Sequence, residues 1–264
     1  MVYTAWEPSP EELTDYYSGY PVVENMSAVT LKRYDELLDR FAKFKHTGRI
    51  LDVGCGGGAF LERAKVHGWV ACGTEFGAGP IAACRSKGIA VIEGALDPDQ
   101  HPAEGYDVIC SFEVIEHVTH PQEEVGKMLQ LLRPGGLLYL TVPNFNCLAR
   151  RLDQSNWSII NYPEHLNHFT PRTFHRLLHG NGLQRSWLTT TGFSVERWMS
   201  KKKKSNVGRT AAHSAQDELR ERIESRAYMR FAKALINAFL NLFRLGDSMK
   251  AGYIKSRERG SAGS

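Results

Sequence analysis

A cluster of glycines after a short apolar segment is the first feature of the sequence with clear chemical meaning. Gly54, Gly56 and Gly58 follow the segment Arg49–Val53, and the carboxylate of Asp52 stands two residues before the first glycine. Glycine has no Cβ and tolerates positive φ, so such a turn lets the backbone approach a ligand closely. A helix that begins after the turn adds backbone N–H groups that favour negative charge. The pattern predicts a ligand site at a strand-to-helix turn.

A second acid stands where it can complete a nucleoside site. Glu75 ends the next apolar segment, 21 residues after Gly54, and an acid there accepts hydrogen bonds from both hydroxyls of an adenosine ribose. The spacing Gly54-x-Gly56-x-x-Ala59 also fits the dinucleotide fingerprint, so the glycines alone do not separate S-adenosylmethionine (SAM) from NAD. Asp52 favours SAM, because a carboxylate repels a pyrophosphate but suits an amino group and a sulfonium. A nicotinamide-dependent oxidoreductase stays as the alternative.

Four further side chains could handle a proton. Glu116 and His117 follow the apolar segment Asp107–Phe112, and His165 and His168 lie in an aromatic-rich stretch. Transfer of a methyl group from a sulfonium is an in-line displacement, in which positioning supplies much of the rate. A general base is needed only for a poorly ionised nucleophile, and all four residues are candidates for it. In the alternative interpretation, Glu116 caps a helix, His117 packs locally and the other two histidines hold their loop together.

The segments around these residues alternate between strand-like and helix-like patterns. Short β-branched and apolar runs are each followed by a helix-compatible stretch, which predicts right-handed βαβ crossovers and a largely parallel sheet with helices on both faces. Strands are expected at Arg49–Val53, Trp69–Thr74, Ile89–Ile92, Asp107–Phe112, Leu137–Val142, Leu183–Thr190 and Ser248–Lys255. Helices are expected at Ala28–Phe44, Phe60–Ala64, Pro80–Ser86, Glu123–Leu132 and Pro171–His179.

Three stretches in this order resemble the class I SAM-dependent methyltransferases: Leu51–Gly58, Tyr106–Val118 and Leu132–Asn144. The resemblance covers about residues 30–195. It points to the branch that includes ubiquinone-pathway O-methyltransferases and small-molecule methyltransferases of bacterial secondary metabolism and surface-glycan pathways. It implies a Rossmann-like α/β fold, with a mostly parallel sheet of seven strands, a last antiparallel strand and flanking helices. It also implies SAM as the cofactor.

The resemblance assigns cofactor roles to individual positions. Asp52, Gly54, Gly56 and Gly58 would surround the methionine half of SAM, and Glu75 would hold the ribose. Phe76, Ala95 and Leu96 would flank the adenine, and Ser111, Phe112 and Glu113 would line the pocket floor. Cys55 would complete the glycine loop, and Tyr16 and Tyr20 of the N-terminal arm would cover the site.

We expect four regions in the chain. Residues 1–46 should form an aromatic-rich arm and a helix that cover the cofactor site, and residues 47–195 the SAM-binding core, with residues 143–170 as the acceptor loop. Residues 196–247 should form a basic loop and a helical insertion, and residues 248–264 the last strand and a frayed tail.

Residues 226–245 of the insertion have the pattern of an unusual helix. Polar residues recur at every third or fourth position in one narrow basic stripe, and nearly every other position is apolar. So wide an apolar surface needs a cover. Packing against the sheet or a neighbouring helix is expected, and a homodimer interface or peripheral contact with membrane headgroups is the alternative.

Composition and net charge limit which classes of partner and which metal requirement are expected. The formal net charge of +4 is small for a nucleic-acid binder, and neither a leader peptide nor a membrane span is visible. The five cysteines include no C-x-x-C pair, so reduced thiols, a cytoplasmic location and no required metal are expected.

The expected function is SAM-dependent methyl transfer to an oxygen of a small-molecule, glycan or lipid-intermediate acceptor. An N- or C-methyltransferase and a non-catalytic SAM-binding module are the alternatives.

Overall fold

The computed structural model describes residues 2–3, 8, 12, 26–154, 157, 159–160, 164–192 and 227–256. Its strands are β1 (Val2–Tyr3), β2 (Arg49–Val53), β3 (Val70–Glu75), β4 (Ala90–Glu93), β5 (Tyr106–Phe112), β6 (Leu132–Pro143), β7 (Asn167–His168), β8 (Leu183–Thr191) and β9 (Ser248–Lys255). Seven of them form one sheet in the order β4-β3-β2-β5-β6-β9-β8. The first five strands of this order pair in parallel, and β9 runs antiparallel to both neighbours. The expected fold is confirmed.

Helices cover both faces of this sheet. They are α1 (Ala28–Phe41), α2 (Ala59–Val66), α3 (Ala78–Ser86), α4 (Pro121–Leu131), α5 (Leu148–Asp153), α6 (Pro171–Gly180) and α7 (Ala227–Leu242), with 3₁₀ turns at Ala42–Phe44 and Pro98–Gln100. Among these described helices, none combines the length and the apolar character that a bilayer crossing requires.

Two apolar cores form, one on each face of the sheet. Neighbouring residues of one strand point to opposite faces, so Leu51 joins one core while Ile50 joins the other. The same alternation separates Ile109 from Val108 on β5. Strands that are buried on both faces are largely apolar, as expected of parallel strands covered by helices, and their buried polar residues Asp52, Asp107 and Ser111 lie at or near the strand ends.

Strand β6 is longer than the sequence pattern predicts. The sequence pattern predicts that this strand begins at Leu137, because a proline and two glycines end the preceding helix. The structure instead extends the strand back to Leu132. The register shifts between Tyr106 and Val108 on the partner strand, so the extra residues are accommodated as an irregularity of the ladder. A Cβ at Gly136 would lie 2.7 Å from a Leu132 methyl carbon. Glycine permits this close approach, so it continues the strand instead of ending it.

The carboxylate of Asp107 organises the amino edge of the sheet. Its Oδ2 accepts backbone N–H bonds from His46 (2.9 Å), Thr47 (2.8 Å) and Gly48 (2.7 Å). Its Oδ1 pairs with the guanidinium of Arg133. Burial raises the pKa of this carboxyl, but the bonds from Arg133 and the backbone outweigh burial and hold the pKa below its usual range. Asp107 therefore joins the turn before β2 to β5 and β6.

Replacing Asp107 by alanine leaves Arg133 and three backbone N–H groups without their shared acceptor. We expect the free energy of unfolding, measured by urea denaturation at neutral pH, to fall by about 3–5 kcal/mol. Because the folded-state pKa is lowered, this contribution exists above the unfolded pKa of about 3.9 and is lost as the pH falls through the folded value. The exposed acid Asp99 supplies the control Asp99→Ala. An equal loss in both variants would contradict the assignment.

Candidate active site

The carboxyl ends of β2, β3 and β5 meet at one edge of the sheet, where ligands of open α/β sheets bind. The register pairs Asp52 with Gly73 of β3 on one side and with Cys110 of β5 on the other. Glu75 ends β3 two residues further along. The topology therefore brings the two predicted cofactor acids to the same edge.

The three glycines of the loop are required for different reasons. All have positive φ: 74° at Gly54, 52° at Gly56 and 73° at Gly58. A Cβ at Gly54 would lie 2.6 Å from Val114, and one at Gly58 would lie 2.8 Å from both Cys84 and Ile89. A Cβ at Gly56 meets no described atom within 4 Å. Gly54 and Gly58 thus serve the packing of the loop, while Gly56 is the position that faces open space.

The carboxylate of Glu75 ties this loop to the end of β3. Its Oε2 accepts the Gly56 N–H at 2.8 Å, and its Oε1 accepts the N–H groups of Phe76 at 2.8 Å and Gly77 at 3.1 Å. Three of the roughly four acceptor positions of a carboxylate are taken. Holding both hydroxyls of a ribose therefore requires one of these backbone bonds to open.

Asp52 is an acid whose charge is unbalanced among the described residues. It is 2% exposed, and its Oδ1 has no hydrogen-bond partner in the described part of the chain. Burial first, and then the charges of Cys84 and Glu75, raise its pKa well above the usual range. A cationic ligand would favour the ionised carboxylate, because burying its charge without a counter-charge is costly. An amino group and a sulfonium, the two cationic groups of SAM, fit this requirement.

Tyr34 on α1 is a site residue that the sequence interpretation missed. Its ring centroid lies 5.3 Å from that of Phe60 and 6.2 Å from that of Phe112. Burial, and then the charge of Asp52, raise the pKa of its hydroxyl to about 12. The signal was its helical spacing from Leu38 and Phe41, which marks the buried side of α1. Spacing of that kind says that a residue faces inward, but not what it faces.

The predicted adenine-side residues divide into exposed and buried ones. Phe76 is 64% exposed directly after Glu75, and Ala95 is exposed as well. Leu96 is only 2% exposed and belongs to the core cluster that contains Ile115. The first two are therefore accessible to a ligand, while the Leu96 side chain supports the loop from below.

The end of β5 supplies the predicted pocket floor. Ser111 is 1% exposed and its Oγ has no hydrogen-bond partner among the described residues. Phe112 lies with its ring centroid 4.9 Å from that of Phe60. Glu113 is exposed and has a φ of 55°, which is uncommon for a residue other than glycine. Such a backbone turn directs the chain away from the sheet at the point where the next functional residues follow.

Cys55 packs beneath the glycine loop. Its Sγ lies 3.8 Å from the Sγ of Cys84, which donates to the Gly56 carbonyl oxygen at 3.2 Å. The side chain of Cys55 therefore supports the loop, and its backbone is the part available to a ligand. Tyr16 and Tyr20, predicted to cover the cofactor, lie outside the described residues.

Glu116, His117 and His165 form one cluster after β5. Nε2 of His117 lies 3.8 Å from Oε1 of Glu116, and the two imidazole centroids are 4.7 Å apart. Glu116 is 1% exposed, and neither carboxylate oxygen has a hydrogen-bond partner among the residues that the structure describes. The first interpretation of these residues as acid–base candidates is thus geometrically consistent for three of the four.

Backbone hydrogen bonds hold this cluster together across a gap in sequence. The carbonyl oxygen of Glu116 accepts the N–H groups of Leu166 at 3.0 Å and Asn167 at 2.9 Å. Nδ2 of Asn167 donates to the Val118 carbonyl at 2.7 Å. These bonds fix the acceptor loop to the segment after β5, which explains why His165 lies beside His117.

His168 lies apart from the cluster. It is 7% exposed, its ring centroid lies 5.3 Å from that of Phe145, and its backbone pairs with Val2 in the small antiparallel sheet. Burial, and then the neighbouring His165, lower its pKa. A packing role accounts for these contacts.

Hydrogen bonds fix the proton positions of the two clustered imidazoles. Nδ1 of His117 contacts the Glu164 carbonyl oxygen, and Nδ1 of His165 lies 2.8 Å from the Ile159 carbonyl oxygen. A carbonyl only accepts, so Nδ1 carries the proton in each neutral ring. Burial, and then His165, lower the pKa of His117 to about 4. Burial, and then the charge of Glu113, raise the pKa of Glu116 well above its usual range.

The same three residues are also the group of potential metal ligands found in the described part of the chain. Their ligand-capable atoms lie within 4.8 Å of one another. Neighbouring ligands of a zinc ion at about 2.1 Å lie roughly 3.4 Å apart, so the cluster would have to contract to hold such an ion. The 3.8 Å between Nε2 of His117 and Oε1 of Glu116 also exceeds a hydrogen bond, so proton exchange within the pair requires a smaller contraction or a bridging group.

Comparison with known proteins relates this site to a family. The family described as "Methyltransferase domain" matches residues 24–207. The ubiquinone biosynthesis O-methyltransferase of Vibrio atlanticus (strain LGP32) is 32% identical over 106 residues, which are 37% of this chain and 44% of that protein. The chain therefore spans less than half the length of that curated relative.

Solved structures agree on the fold. A SAM-dependent methyltransferase from Archaeoglobus fulgidus superposes with a TM-score of 0.55 at 18% identity, covering 84% of this chain and 94% of that one. Geranyl diphosphate C-methyltransferase from Streptomyces coelicolor A3(2), solved with Mg²⁺, geranyl diphosphate and S-adenosyl-L-homocysteine, superposes with a TM-score of 0.57 at 14% identity, covering 94% of this chain and 100% of that one. At these identities the likeness shows the fold.

The family match, the sheet order and the paired acids Asp52 and Glu75 agree with one another. The alternative of a nicotinamide-dependent oxidoreductase is therefore dropped. The chain belongs to the methyltransferase domain family.

Proposed function

We propose that this methyltransferase transfers the methyl group to a hydroxyl oxygen of a small molecule, a glycan or a lipid intermediate. The observation that carries the proposal is the buried cluster of Glu116, His117 and His165 at the carboxyl edge of the sheet. A hydroxyl is poorly ionised near neutral pH, so its methylation needs a group that takes up a proton. The name of the Vibrio atlanticus relative, an O-methyltransferase, supports the same choice of nucleophile.

The cofactor half of the site works by charge and by shape. When bound, SAM supplies a methyl group on a sulfonium. Asp52 offsets the positive charge of the ligand, because its carboxylate is buried without a counter-charge among the described residues. Glu75 holds the ribose at the end of β3, and the absence of a side chain at Gly56 leaves room beside the loop. These residues hold the methyl group in line with its acceptor, which supplies much of the rate.

The acceptor half of the site takes up the proton. As the new O–C bond forms, the proton of the hydroxyl passes to the pair of Glu116 and His117. Burial disfavours the imidazolium of His117, whose pKa is about 4, whereas burial raises the pKa of Glu116. The proton therefore comes to rest on Glu116. The ring of His165, 4.7 Å from that of His117, positions the pair.

The role of Glu75 is tested by SAM binding. Glu75→Ala removes the ribose acceptor and should weaken SAM affinity by about 1–3 kcal/mol in calorimetry, the cost of unpaired hydroxyls. The control is Glu93→Ala, because Glu93 pairs with Glu75 in register on the neighbouring strand but lies on β4, away from the glycine loop. NAD should bind to neither protein. Tight NAD binding by the unaltered chain, or equal weakening of SAM binding by both variants, would refute the assignment.

The difference between Gly56 and Gly58 gives a second test. Gly56→Val places its side chain in open space beside the loop and should abolish SAM binding, while the left-handed φ costs only about 1–2 kcal/mol of stability. Gly58→Val meets Cys84 and Ile89 and should lower the thermal midpoint substantially more. The comparison is made by calorimetry and thermal unfolding of both proteins. Retained SAM binding in Gly56→Val would contradict the proposed ligand position.

The acid–base cluster is tested by turnover with an acceptor found by screening a hydroxyl-compound library for S-adenosylhomocysteine release. Glu116→Gln should lower kcat by about a hundredfold or more and leave the Kd for SAM nearly unchanged. Wild-type kcat should rise with pH until Glu116 is ionised, and this rise occurs above the usual range for a glutamate because its pKa is raised. An acidic phenol needs no base, so the loss should shrink for such an acceptor as pH rises.

The matched control for this test is His120→Ala, because His120 is exposed and three residues from His117. It should keep full turnover. Activity that disappears with a chelator and returns with a divalent cation would assign the cluster to metal binding instead of proton uptake. If product analysis finds the methyl group on nitrogen or carbon, the chain is an N- or C-methyltransferase and the proposal of O-methylation is wrong.

A further inference from the structure

Two free thiols lie in contact beneath the glycine loop, and the proposed reaction uses neither of them. Sγ of Cys55 is 3.8 Å from Sγ of Cys84, although the two residues are 29 positions apart in the chain. Cys55 is 9% exposed, and Cys84 is fully buried. This separation is about 1.8 Å longer than a disulfide bond. The two sulfurs are therefore close enough to bond after a small local movement.

Backbone packing keeps the two thiols side by side. Cys55 belongs to the loop after β2, and Cys84 lies in the last turn of α3. A Cβ at Gly58 would lie 2.8 Å from Sγ and 3.7 Å from Cα of Cys84, so the loop packs directly on the backbone of the helix. On the other side, a Cβ at Gly73 would lie 2.5 Å from Sγ of Cys55. The missing side chains at these two glycines leave the space that the sulfurs occupy.

The thiol of Cys84 is also one of the groups that hold the loop in its shape. Its Sγ donates to the Gly56 carbonyl oxygen at 3.2 Å, while the Gly56 N–H donates to Oε2 of Glu75 at 2.8 Å. Nζ of Lys87, which follows α3, donates to the Gly57 carbonyl oxygen at 2.9 Å. Gly56 is thus held from both sides, so a chemical change at Cys84 acts directly on the position of Gly56.

The surroundings of the pair give the two sulfurs different reactivity. The hydrogen bond from Cys55, and then the charge of Lys87, lower the pKa of the Cys84 thiol, although burial and Glu75 act in the opposite direction. The same hydrogen bond raises the pKa of Cys55. A thiolate is the form that attacks a peroxide, and a neighbouring thiol can then resolve the product. Cys84 is suited to the first role and Cys55 to the second.

We propose that Cys55 and Cys84 form a reversible disulfide that lowers the affinity of the cofactor site. The Cys84 thiolate attacks hydrogen peroxide, which breaks the O–O bond and gives a sulfenic acid and a hydroxide ion. The Cys55 sulfur then attacks the sulfenic sulfur and the hydroxyl leaves as water. In total, two thiols and one hydrogen peroxide give one disulfide and two water molecules. Hydrogen peroxide is nearly as small as water, so a brief opening of the partly exposed loop admits it.

The disulfide reaches the cofactor through Gly56. Formation of the S–S bond removes the donor that holds the Gly56 carbonyl and draws the loop toward α3. Gly56 is the loop position at which a Cβ would meet no described atom within 4 Å, and the proposed function places the cofactor there. The effect on affinity therefore rests on the proposed function, whereas the disulfide itself does not. A reversible disulfide also agrees with the expected cytoplasmic location, where disulfides serve mainly as transient redox sensors.

The test maps the disulfide and measures cofactor binding in the same samples. The reduced full chain is treated with hydrogen peroxide, alkylated and digested without reductant by trypsin and by Glu-C protease, which separates Cys72 from Cys84 at Glu75. A cross-linked peptide pair that contains Cys55 and Cys84 is expected, and dithiothreitol should abolish it. In calorimetry the Kd for SAM should rise by about tenfold on oxidation, the equivalent of one lost hydrogen bond, and should return after reduction.

Two serine variants separate the pair from the other cysteines. Cys84→Ser removes one bonding sulfur and keeps a hydroxyl donor for the Gly56 carbonyl, so its Kd for SAM should be the same before and after peroxide. The matched control is Cys147→Ser, because serine can still accept the Arg150 N–H at the start of α5. This control should respond to peroxide as the wild type does. Thermal unfolding checks that both variants are folded.

Thermodynamic linkage supplies a second measurement. If the disulfide weakens SAM binding, SAM must disfavour the disulfide by the same factor. In a glutathione redox buffer, saturating SAM should therefore lower the fraction of chains that carry the Cys55–Cys84 cross-link. An unchanged fraction would contradict the proposed coupling.

The remaining outcomes distinguish the possible failures. Peroxide treatment that yields no Cys55–Cys84 cross-link, or a cross-link with an unchanged Kd for SAM, would overturn the proposal. Peroxide that weakens SAM binding equally in Cys84→Ser would assign the effect to another residue and overturn it as well. Reduced wild-type protein that binds no SAM would refute the proposed ligand position and with it the effect on affinity, while the peptide map still decides whether the disulfide forms.

Discussion

Strand β2 is hydrogen-bonded on both sides, and the structure of the site depends on this constraint. Parallel pairing with β3 and β5 leaves β2 no freedom to shift register, because a slip of one residue would exchange its two buried faces. Asp52 is consequently held at the carboxyl edge, although its carboxylate is buried and its pKa is raised. The two apolar cores on either side of the sheet supply the stability that tolerates this unfavourable burial.

Two buried aspartates at opposite edges of the sheet show how the chain separates stability from binding. At the amino edge, Asp107 has four partners from two segments, and its pKa is lowered. At the carboxyl edge, Asp52 keeps an oxygen without a partner among the described residues, as do Ser111 and Glu116. Buried polar groups are normally satisfied, and the three exceptions at Asp52, Ser111 and Glu116 lie at the edge where open α/β sheets bind ligands.

The cofactor side and the acceptor side are coupled through short stretches of backbone. Gly54 packs against Val114, and the Glu116 carbonyl fixes the loop that carries His165. Glu113 contacts Ser248, which follows α7 in the chain. The glycine loop, the proposed proton-accepting pair and the segment after α7 therefore meet at one segment after β5. Methyl donor, base and acceptor can be aligned by a rigid element instead of by independent loops, as in-line displacement requires.

The sequence by itself determined the features that rest on local geometry. Positive φ at Gly54, Gly56 and Gly58, the acid at the end of β3, and the alternation of strands and helices follow from residue type and spacing, and the sheet order confirms them. Only the tertiary structure decided which distant side chains meet. It joined His165 to the pair after β5, separated His168 and placed Tyr34 against Phe60 and Phe112. It also turned the polar side of α7 inward, because hydrogen bonds at the end of β8 act between residues about 50 positions apart. Such contacts depend on how packed elements approach one another in space, and no periodicity within a single element encodes that approach.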